Sequence, residues 1–398
     1  MSDLMTTIYF QNQQSNPLTG VSSNDVNDLS LTIKVYDHKQ TEYCLQLWKT
    51  LETKFDNIPL MCSHIWTSTW IDHYQDLIPC SFAVAYKGDT PCGICLLTEG
   101  ADQHDGPLLI KTRHLGTAGE PAADSVCVEY NALLVQPEDQ PAFINALLDA
   151  LANSEEWDSL LFDGFASAEL ESWDLPQQDT SERKVESHYF DLKLIRDEER
   201  DVISGFGYST RKNLRKNMKS YGNLTTEWAE NLEQAESIFA DLISLHQMRW
   251  QKEGLPGSYA SNRFTNFHKT LIQKLIPTGQ MGLFRVKIEG QVIGCVQVLI
   301  DRNRVLCYQG GSAEYQGKLS PGVIADYLCI EECFKRGFDA YDFLAGNSHH
   351  KQKMSTHHTY LTWTQIRRPR WKFTALNALR KIKQMLTQIK KANHESES

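Results

Sequence analysis

The sequence predicts an α+β protein built as two tandem copies, each a mixed, mostly antiparallel sheet flanked by helices. Two observations predict it. Adjacent strand-like runs follow one another across short turns, which is the pattern of antiparallel pairing. A helix and a further strand then follow each group of runs, and this order occurs on both sides of residue 195.

The first copy opens with the alternating stretch LTIKVY at 31–36. Residues 40–55 repeat apolar side chains at helical spacing around Cys44, Leu47, Trp48 and Leu51, and IWTSTWIDHY at 65–74 is an aromatic helical stretch. SFAVAYKGDTPCGICLLT turns at Gly88-Asp89 between two strands; PLLIKTRHLG and VEYNALLV read as two more. Residues 145–152 are helical, SLLFDGF is a strand, and SHYFDLKL at 187–194 closes the copy as a strand. In the second copy, STRKNLRKNMKS at 209–220 is a basic helix and NLTTEWA a strand. A long helix over 231–250 begins with a capping box of Asn231 and Gln234, and another helix spans 262–276. QMGLFRVKIEG, QVIGCVQVLI and NRVLCYQGGS are three consecutive strands; AYDFLAG and YLTWTQIRR follow the next helix. The expected divisions are a leader over 1–30, copies over 31–195 and 196–370, and a basic amphipathic tail over 371–398.

Composition narrows the function. The chain has 398 residues, 41% apolar and 23% charged, as a globular protein has. Its start lacks the basic and apolar regions of a signal peptide, and no apolar window is long enough to span a membrane, so a cytoplasmic location is expected. Ten dispersed cysteines fit a reducing compartment better than a disulfide scaffold. Cys92 and Cys95 form a C-x-x-C without a second pair at zinc spacing, so core packing is expected there. His349, His350, His357 and His358 lie close in sequence, but no acid or Cys is interleaved, and no metal is expected. The net charge of −10 conceals an acidic half, −21 over residues 1–200, and a basic half, +11 over 201–398. The basic half points toward a phosphate-bearing ligand or an anionic surface.

The stretch YQGKLSPGVIADYL at 315–328 is the sharpest local signal. Ser320 is a good N-cap, Pro321 suits the first helical turn, and Gly322 leaves the backbone open to a ligand. Free N–H groups and the helix dipole favour a bound anion at this end, with Lys318 adding a cation; the plain alternative is a well-capped helix.

With LHQMRWQKEG at 245–254, YQGGSAEYQGKLSPGVI at 308–324 and GFDAYDFLAGNSHHKQKM at 337–354, the chain resembles the GNAT acyltransferases, in the tandem branch that includes FemAB-type aminoacyl transferases and CelD-like proteins. The resemblance implies an N-acyltransferase with acyl-CoA or acetyl-CoA as co-substrate and no permanently bound cofactor. It implies that the pyrophosphate sits at Lys318, Ser320 and Gly322, and that backbone N–H groups of Tyr308, Gln309 and Gly310 polarise the acyl carbonyl. Lys351, expected in the loop beyond the AYDFLAG strand, aligns with the family's late Lys, which implies a catalytic charge near the reacting carbonyl or a substrate phosphate, a solvated loop Lys being the alternative; His350 stands where the family usually has Tyr. The family's Gly-rich phosphate loop is reduced here to Ser320-Pro321-Gly322.

For proton transfer, the residues suggest Asp342, on an apolar strand between Tyr341 and Phe343, and His246. A structural Asp and a packed His are the alternatives. Arg249 and Trp250 beside His246, and Arg211 and Arg215 on the basic helix, are the candidate substrate contacts. The expected acceptor is a small amine, an amino sugar or amino acid. An aminoacyl-tRNA donor and a non-catalytic binding module are the other readings. The tail, with Leu376, Leu379, Ile382, Leu386 and Ile389 on one face ringed by Arg and Lys, suits an anionic membrane surface or the protein's own acidic half.

Overall fold

The computed structural model describes residues 31–101, 104–105, 107–152, 157–176, 180–314, 320–379 and 385. Chain order in the first copy is β1 (Leu31–Tyr36), α1 (Thr41–Glu52), α2 (His64–Tyr74), β2 (Cys80–Lys87) and β3 (Thr90–Glu99). A small hairpin, β4 (His104–Asp105) and β5 (Leu108–Leu109), precedes β6 (Thr112–Leu115) and β7 (Leu134–Val135). Then come α3 (Gln140–Ala152), β8 (Ser159–Ala166), α4 (Ser167–Leu170) and β9 (Thr180–Asp191). After α5 (Leu192–Asp197) and α6 (Tyr208–Tyr221) the scheme repeats: β10 (Leu224–Trp228), α7 (Leu232–Lys252), α8 (Asn262–Leu275), β11 (Met281–Ile288), β12 (Gln291–Asp301) and β13 (Arg304–Ser312). The second copy ends with α9 (Pro321–Lys335), β14 (Ala340–Ala345), α10 (His349–Met354) and β15 (His357–Arg367).

The strands form one sheet in the order β1-β2-β3-β6-β8-β15-β9-β14-β13-β12-β11-β10, with β7 beside β3. The antiparallel pair β15–β9 is its centre. Outward on either side, the pairings run antiparallel, parallel, then three times antiparallel. The expected duplication is therefore visible strand by strand. One feature was not legible: the last strands are exchanged. β9 of the first copy pairs with β14 of the second, and β15 of the second pairs with β8 of the first. Both exchanged ladders break at one place. The break follows Phe162 in β8 and Asp342 in β14, with a positive φ just beyond, 68° at Gly164 and 62° at Leu344.

Alternation along each strand sends side chains to two faces. One face is covered by α1 and α2 of the first copy and α7 and α8 of the second, which share a single core including Trp66, Trp70, Phe267 and Leu242. On the other face, α3 packs over the first copy and α9 over the second, in separate cores. Gly311 of β13 owes its identity to this layering. A Cβ there would stand 2.8 Å from the Leu242 carbonyl and 3.0 Å from the His246 nitrogen of α7.

Four local expectations change. The strand read at 187–194 spans Thr180–Asp191, because Asp191 caps α5 by accepting from the Leu194 N–H at 2.8 Å. VEYNALLV joins the sheet only as an isolated bridge from Asn131 to Phe165 and as the short strand Leu134–Val135, since Tyr130 takes a positive φ and Asn131 turns its amide to the Leu115 carbonyl. Asn231 caps α7, but Gln234 reaches the Glu230 N–H rather than completing a capping box. Lys351 lies on the short helix α10, not in a loop.

Candidate active site

The parallel strands β13 and β14 pair only over Arg304–Leu306 and Ala340–Asp342, then part. β13 carries a bulge at Tyr308, opposite the register shift between Gln297 and Val298. A bulge frees backbone groups from the ladder. The Tyr308 hydroxyl is not free: it donates to the Val126 carbonyl of the first copy at 2.5 Å. Gln309 and Gly310 continue the strand toward α9. At the α9 N-terminus Ser320 caps the Gly322 N–H at 3.3 Å, and the first turn contains no acid. A Cβ on Gly322 would meet the Ser312 and Ser320 side chains at ordinary contact distance. Lys318 lies outside the described residues.

Asp342 is fully buried and heavily bonded. It accepts from Arg304 Nε at 2.7 Å and also from Arg304 Nη2. The Tyr130 hydroxyl donates at 2.5 Å, Ser187 Oγ at 2.9 Å and the Leu344 N–H at 2.7 Å. Such a set satisfies a carboxylate with donors and holds the start of the β14 kink in place. Lys351 Nζ closes the kink from the other side, donating to the Leu344 carbonyl at 3.0 Å and the Ala345 carbonyl at 2.6 Å. Burial pulls the Lys351 pKa down. His350 pairs with Asp326 of α9 at 2.7 Å, and that bond outweighs burial to raise the imidazole pKa.

His246 lies on α7 with both ring nitrogens engaged: Trp250 Nε1 donates to Nε2 at 2.8 Å, and Nδ1 meets Gln247 Oε1 at 3.2 Å. Burial lowers its pKa, so it is a neutral, packed histidine at pH 7. Arg249 is exposed and pairs with Glu253. Arg211 and Arg215 are on α6, whose Leu214 belongs to the α9 core, on the sheet face opposite α7. The structure therefore gathers Asp342 and Lys351 around β14. It does not bring Arg211 and Arg215 to Arg249 and Trp250.

A cavity of about 550 Å³ opens where β14 ends, walled by the first copy and by Ala345, Gly346 and Trp363 of the second. Its polar lining was not read from the sequence. Glu129 accepts from the Ala345 N–H at 2.6 Å, and burial raises its carboxyl pKa to about 7, offset by that bond and by Lys351. Burial also raises Glu120 to about 7, against the pull of the Trp70 indole N–H bonded to it. His114 Nδ1 meets Asp163 Oδ2 at 2.7 Å on the same wall. A carboxyl that titrates near 7 can take a proton from an ammonium or return one at neutral pH. The one available signal was polar Glu129-Tyr130-Asn131 interrupting an apolar run.

Among the described residues no cluster of metal-ligating side chains occurs, and no helix is long and apolar enough to cross a membrane. His350 binds Asp326, His357 stacks on Tyr189, and His358 lies against His188 and Tyr360. In the tail, Phe373 and Leu376 are buried beside Ile110, and Lys372 pairs with Asp158. Ile382, Leu386 and Ile389 lie outside the described residues.

Residues 208–352 match the sequence profile of the acetyltransferase (GNAT) domain. No curated protein matches the chain. Among solved structures, FemX is similar with a TM-score of 0.51 at 13% identity, over 80% of this chain and 95% of that one. A tandem GNAT protein from the clavulanic acid biosynthesis pathway has a TM-score of 0.40 at 11% identity, over 83% of this chain and 98% of that one. The C-terminal domain of a putative lysylphosphatidylglycerol synthetase from Agrobacterium fabrum has a TM-score of 0.44 at 9% identity, over 72% and 84%. The FemX likeness is one of fold. By the profile match, the second copy contains a GNAT-type acetyltransferase domain, and the protein is an acyltransferase.

Proposed function

We propose that the protein is an N-acyltransferase that moves an acyl group from acyl-CoA, acetyl-CoA included, to the amine of a small acceptor held in the cavity at the end of β14. The donor's diphosphate would lie on the α9 N-terminus at Ser320 and Gly322, where the helix dipole and an acid-free first turn favour an anion, the Gly322 N–H being held by the Ser320 hydroxyl. Its carbonyl would be polarised from the backbone of Tyr308, Gln309 and Gly310. The observation that carries this reading is the Glu129–Ala345 contact. It sets a carboxyl with a pKa of about 7, from the first copy, against the gap between β13 and β14.

In the reaction, the amine nitrogen attacks the thioester carbonyl, a C–N bond forms and the C–S bond breaks. Glu129 takes the amine proton, and the thiolate leaves to be protonated. Asp342 is assigned a structural role, because its bonds to Arg304, Tyr130, Ser187 and Leu344 leave it no access to an amine. Lys351 holds β14 in its kinked shape. All ten cysteines are unpaired, which fits a reducing, cytoplasmic setting for acyl-CoA.

The test is turnover of acetyl-CoA and longer acyl-CoAs with a panel of small amines, followed by mass spectrometry of the products. Glu129→Gln should lower kcat by about 10², the usual scale for a positioned base, with melting unchanged or raised. Unaltered kcat in Glu129→Gln would overturn its role. Absence of turnover with every acyl-CoA, together with salt-sensitive tRNA retention through the exposed Lys212, Arg215, Lys216 and Lys219 of α6, would move the donor to aminoacyl-tRNA.

A further inference from the structure

The cavity carries two opposite kinds of charge, and their arrangement bears on which amines it accepts. Glu120, Glu129 and Asp163 supply carboxyl groups to its wall. Arg183, on β9, lines the same cavity, exposed to solvent. Its guanidinium lies 4.2 Å from the centre of the Trp363 ring, and Trp363 lies across the β9–β15 ladder from it. Stacking of this kind fixes the direction of the guanidinium fork without consuming its N–H donors. Among the described residues, no carboxylate pairs with Arg183 and no acceptor takes its hydrogen bonds. Two other arginines of the sheet are committed: Arg304 to Asp342, and Arg285 to Glu227 and Asp241. Arg183 is close enough to Glu129 to draw its pKa downward, so both groups act on one small volume.

A planar, oriented and unpaired guanidinium at one side of a pocket is suited to bidentate capture of a carboxylate or phosphate. Carboxyls elsewhere in the same lining attract an ammonium. We propose that the acceptor is an amine that also carries an anionic group, a carboxylate or a phosphate. Arg183 on its Trp363 platform holds the anion and so directs the amine to Glu129. This rests on the reading of the cavity as the acceptor site. It makes Arg183 a specificity-determining residue, and it excludes simple neutral amines as preferred acceptors.

The experiment measures binding separately from turnover. Matched probes differ only in the anion: lysine against lysinamide, and glucosamine 6-phosphate against glucosamine. Calorimetric titration of the full chain should show at least one anionic probe binding tenfold or more tightly than its neutral partner. The preferred pair distinguishes carboxylate from phosphate. Arg183→Gln should abolish that difference by weakening the anionic probe, and Arg183→Lys should restore part of it. Trp363→Leu should weaken the difference while Arg183 is still present. Equal binding within both pairs, or a preference that survives Arg183→Gln, overturns the proposal; so does failure of both anionic probes to bind at millimolar concentration. Acyl-CoA turnover with the same probes then reports on the transfer reaction itself. Selective binding without turnover would leave the anion clamp standing and remove the acyl-CoA reading.

Discussion

In the first copy, the parallel strands β6 and β8 are joined over Thr112–Leu115 and Ser159–Phe162, and the space beyond is filled by the chain itself. The Asn131 amide donates to the Leu115 carbonyl at 2.8 Å, and its backbone N–H donates to the Gly164 carbonyl at 3.1 Å. A side chain at Gly164 would collide with the Val128 carbonyl. In the second copy the strands part at the equivalent level, and segment 126–130 of the first copy meets them there through side-chain bonds: the Tyr308 hydroxyl to the Val126 carbonyl, the Ala345 N–H to Glu129 and the Tyr130 hydroxyl to Asp342. An ion pair between buried Asp342 and part-buried Arg304, together with Lys351, holds the kink. The helix that follows differs in the same sense. The turn entering α3 carries Glu138 and Asp139, which would repel a phosphate. The turn entering α9 carries Ser320, Pro321 and Gly322. One architecture, used twice, has been closed in the first copy and kept open in the second. The segment that closes the first also supplies Glu129 and Tyr130 to the second.

The largest expected effect tests how each gap is held. Asp342→Asn leaves the part-buried Arg304 and the other donors around fully buried Asp342 without the carboxylate charge and should cost about 3–5 kcal/mol of stability. Asn131→Ala removes neutral hydrogen bonds and should cost about 1–3 kcal/mol. Urea midpoints of the two variants measure the ratio. Equal losses would mean that the second gap does not depend on its ion pair.

Placing the first copy's acid into the second gives the next effect. Gly322→Glu should weaken acyl-CoA binding by about tenfold or more through repulsion at the helix N-terminus. Glu138→Gln, in the turn entering α3, should leave binding unchanged. Both are read from the thermal shift with acetyl-CoA. A loss of binding in Glu138→Gln would relocate the donor to the first copy.

A smaller effect appears with pH. Glu120 and Glu129 have folded pKa values of about 7 against an ordinary 4.5, so the folded state keeps protons that the unfolded chain releases. The resulting stability is complete below about 4.5 and is lost as pH rises through about 7. Urea midpoints should therefore fall between pH 5 and pH 8, and Glu120→Gln should reduce the fall. The smallest effect is expected at His350, whose raised pKa makes its bond to Asp326 most stabilising below the ordinary value of 6.5. That contribution is lost as pH rises through the folded value. His350→Gln should lower the melting temperature slightly at pH 6 and hardly at pH 9, because the imidazole is partly solvated.

Much of the fold could be read locally, because strand period, turns and caps are short-range properties. The Ser320 helix, the β11–β12–β13 run and the repeated order on both sides of residue 195 are of this kind. The strand exchange could not be read, since either β9 or β15 would satisfy the edge of β8 by pattern alone. For the same reason the site was only half legible. Ser320 and Gly322 announce themselves through helix-capping chemistry. Glu129 acquires its meaning from Ala345, which lies more than two hundred residues along the chain. Asp342 resembled a base because an acid on an apolar strand is costly without partners. Those partners, Arg304, Tyr130 and Ser187, come from three separate strands and loops.

The exchange of β9 and β15 also sets a clock on biosynthesis. β8 is made early, yet the neighbour that covers its free edge is β15, the last strand of the sheet. At about 5–20 residues per second, translation leaves that edge waiting for on the order of ten seconds or more. Until then the nascent first copy exposes a row of unpaired peptide groups beside β9, which has no partner on either side. A stop codon or cleavage between α9 and β15 would not release a finished first copy and a damaged second. It would strand both, since each copy is completed by the other's final segment.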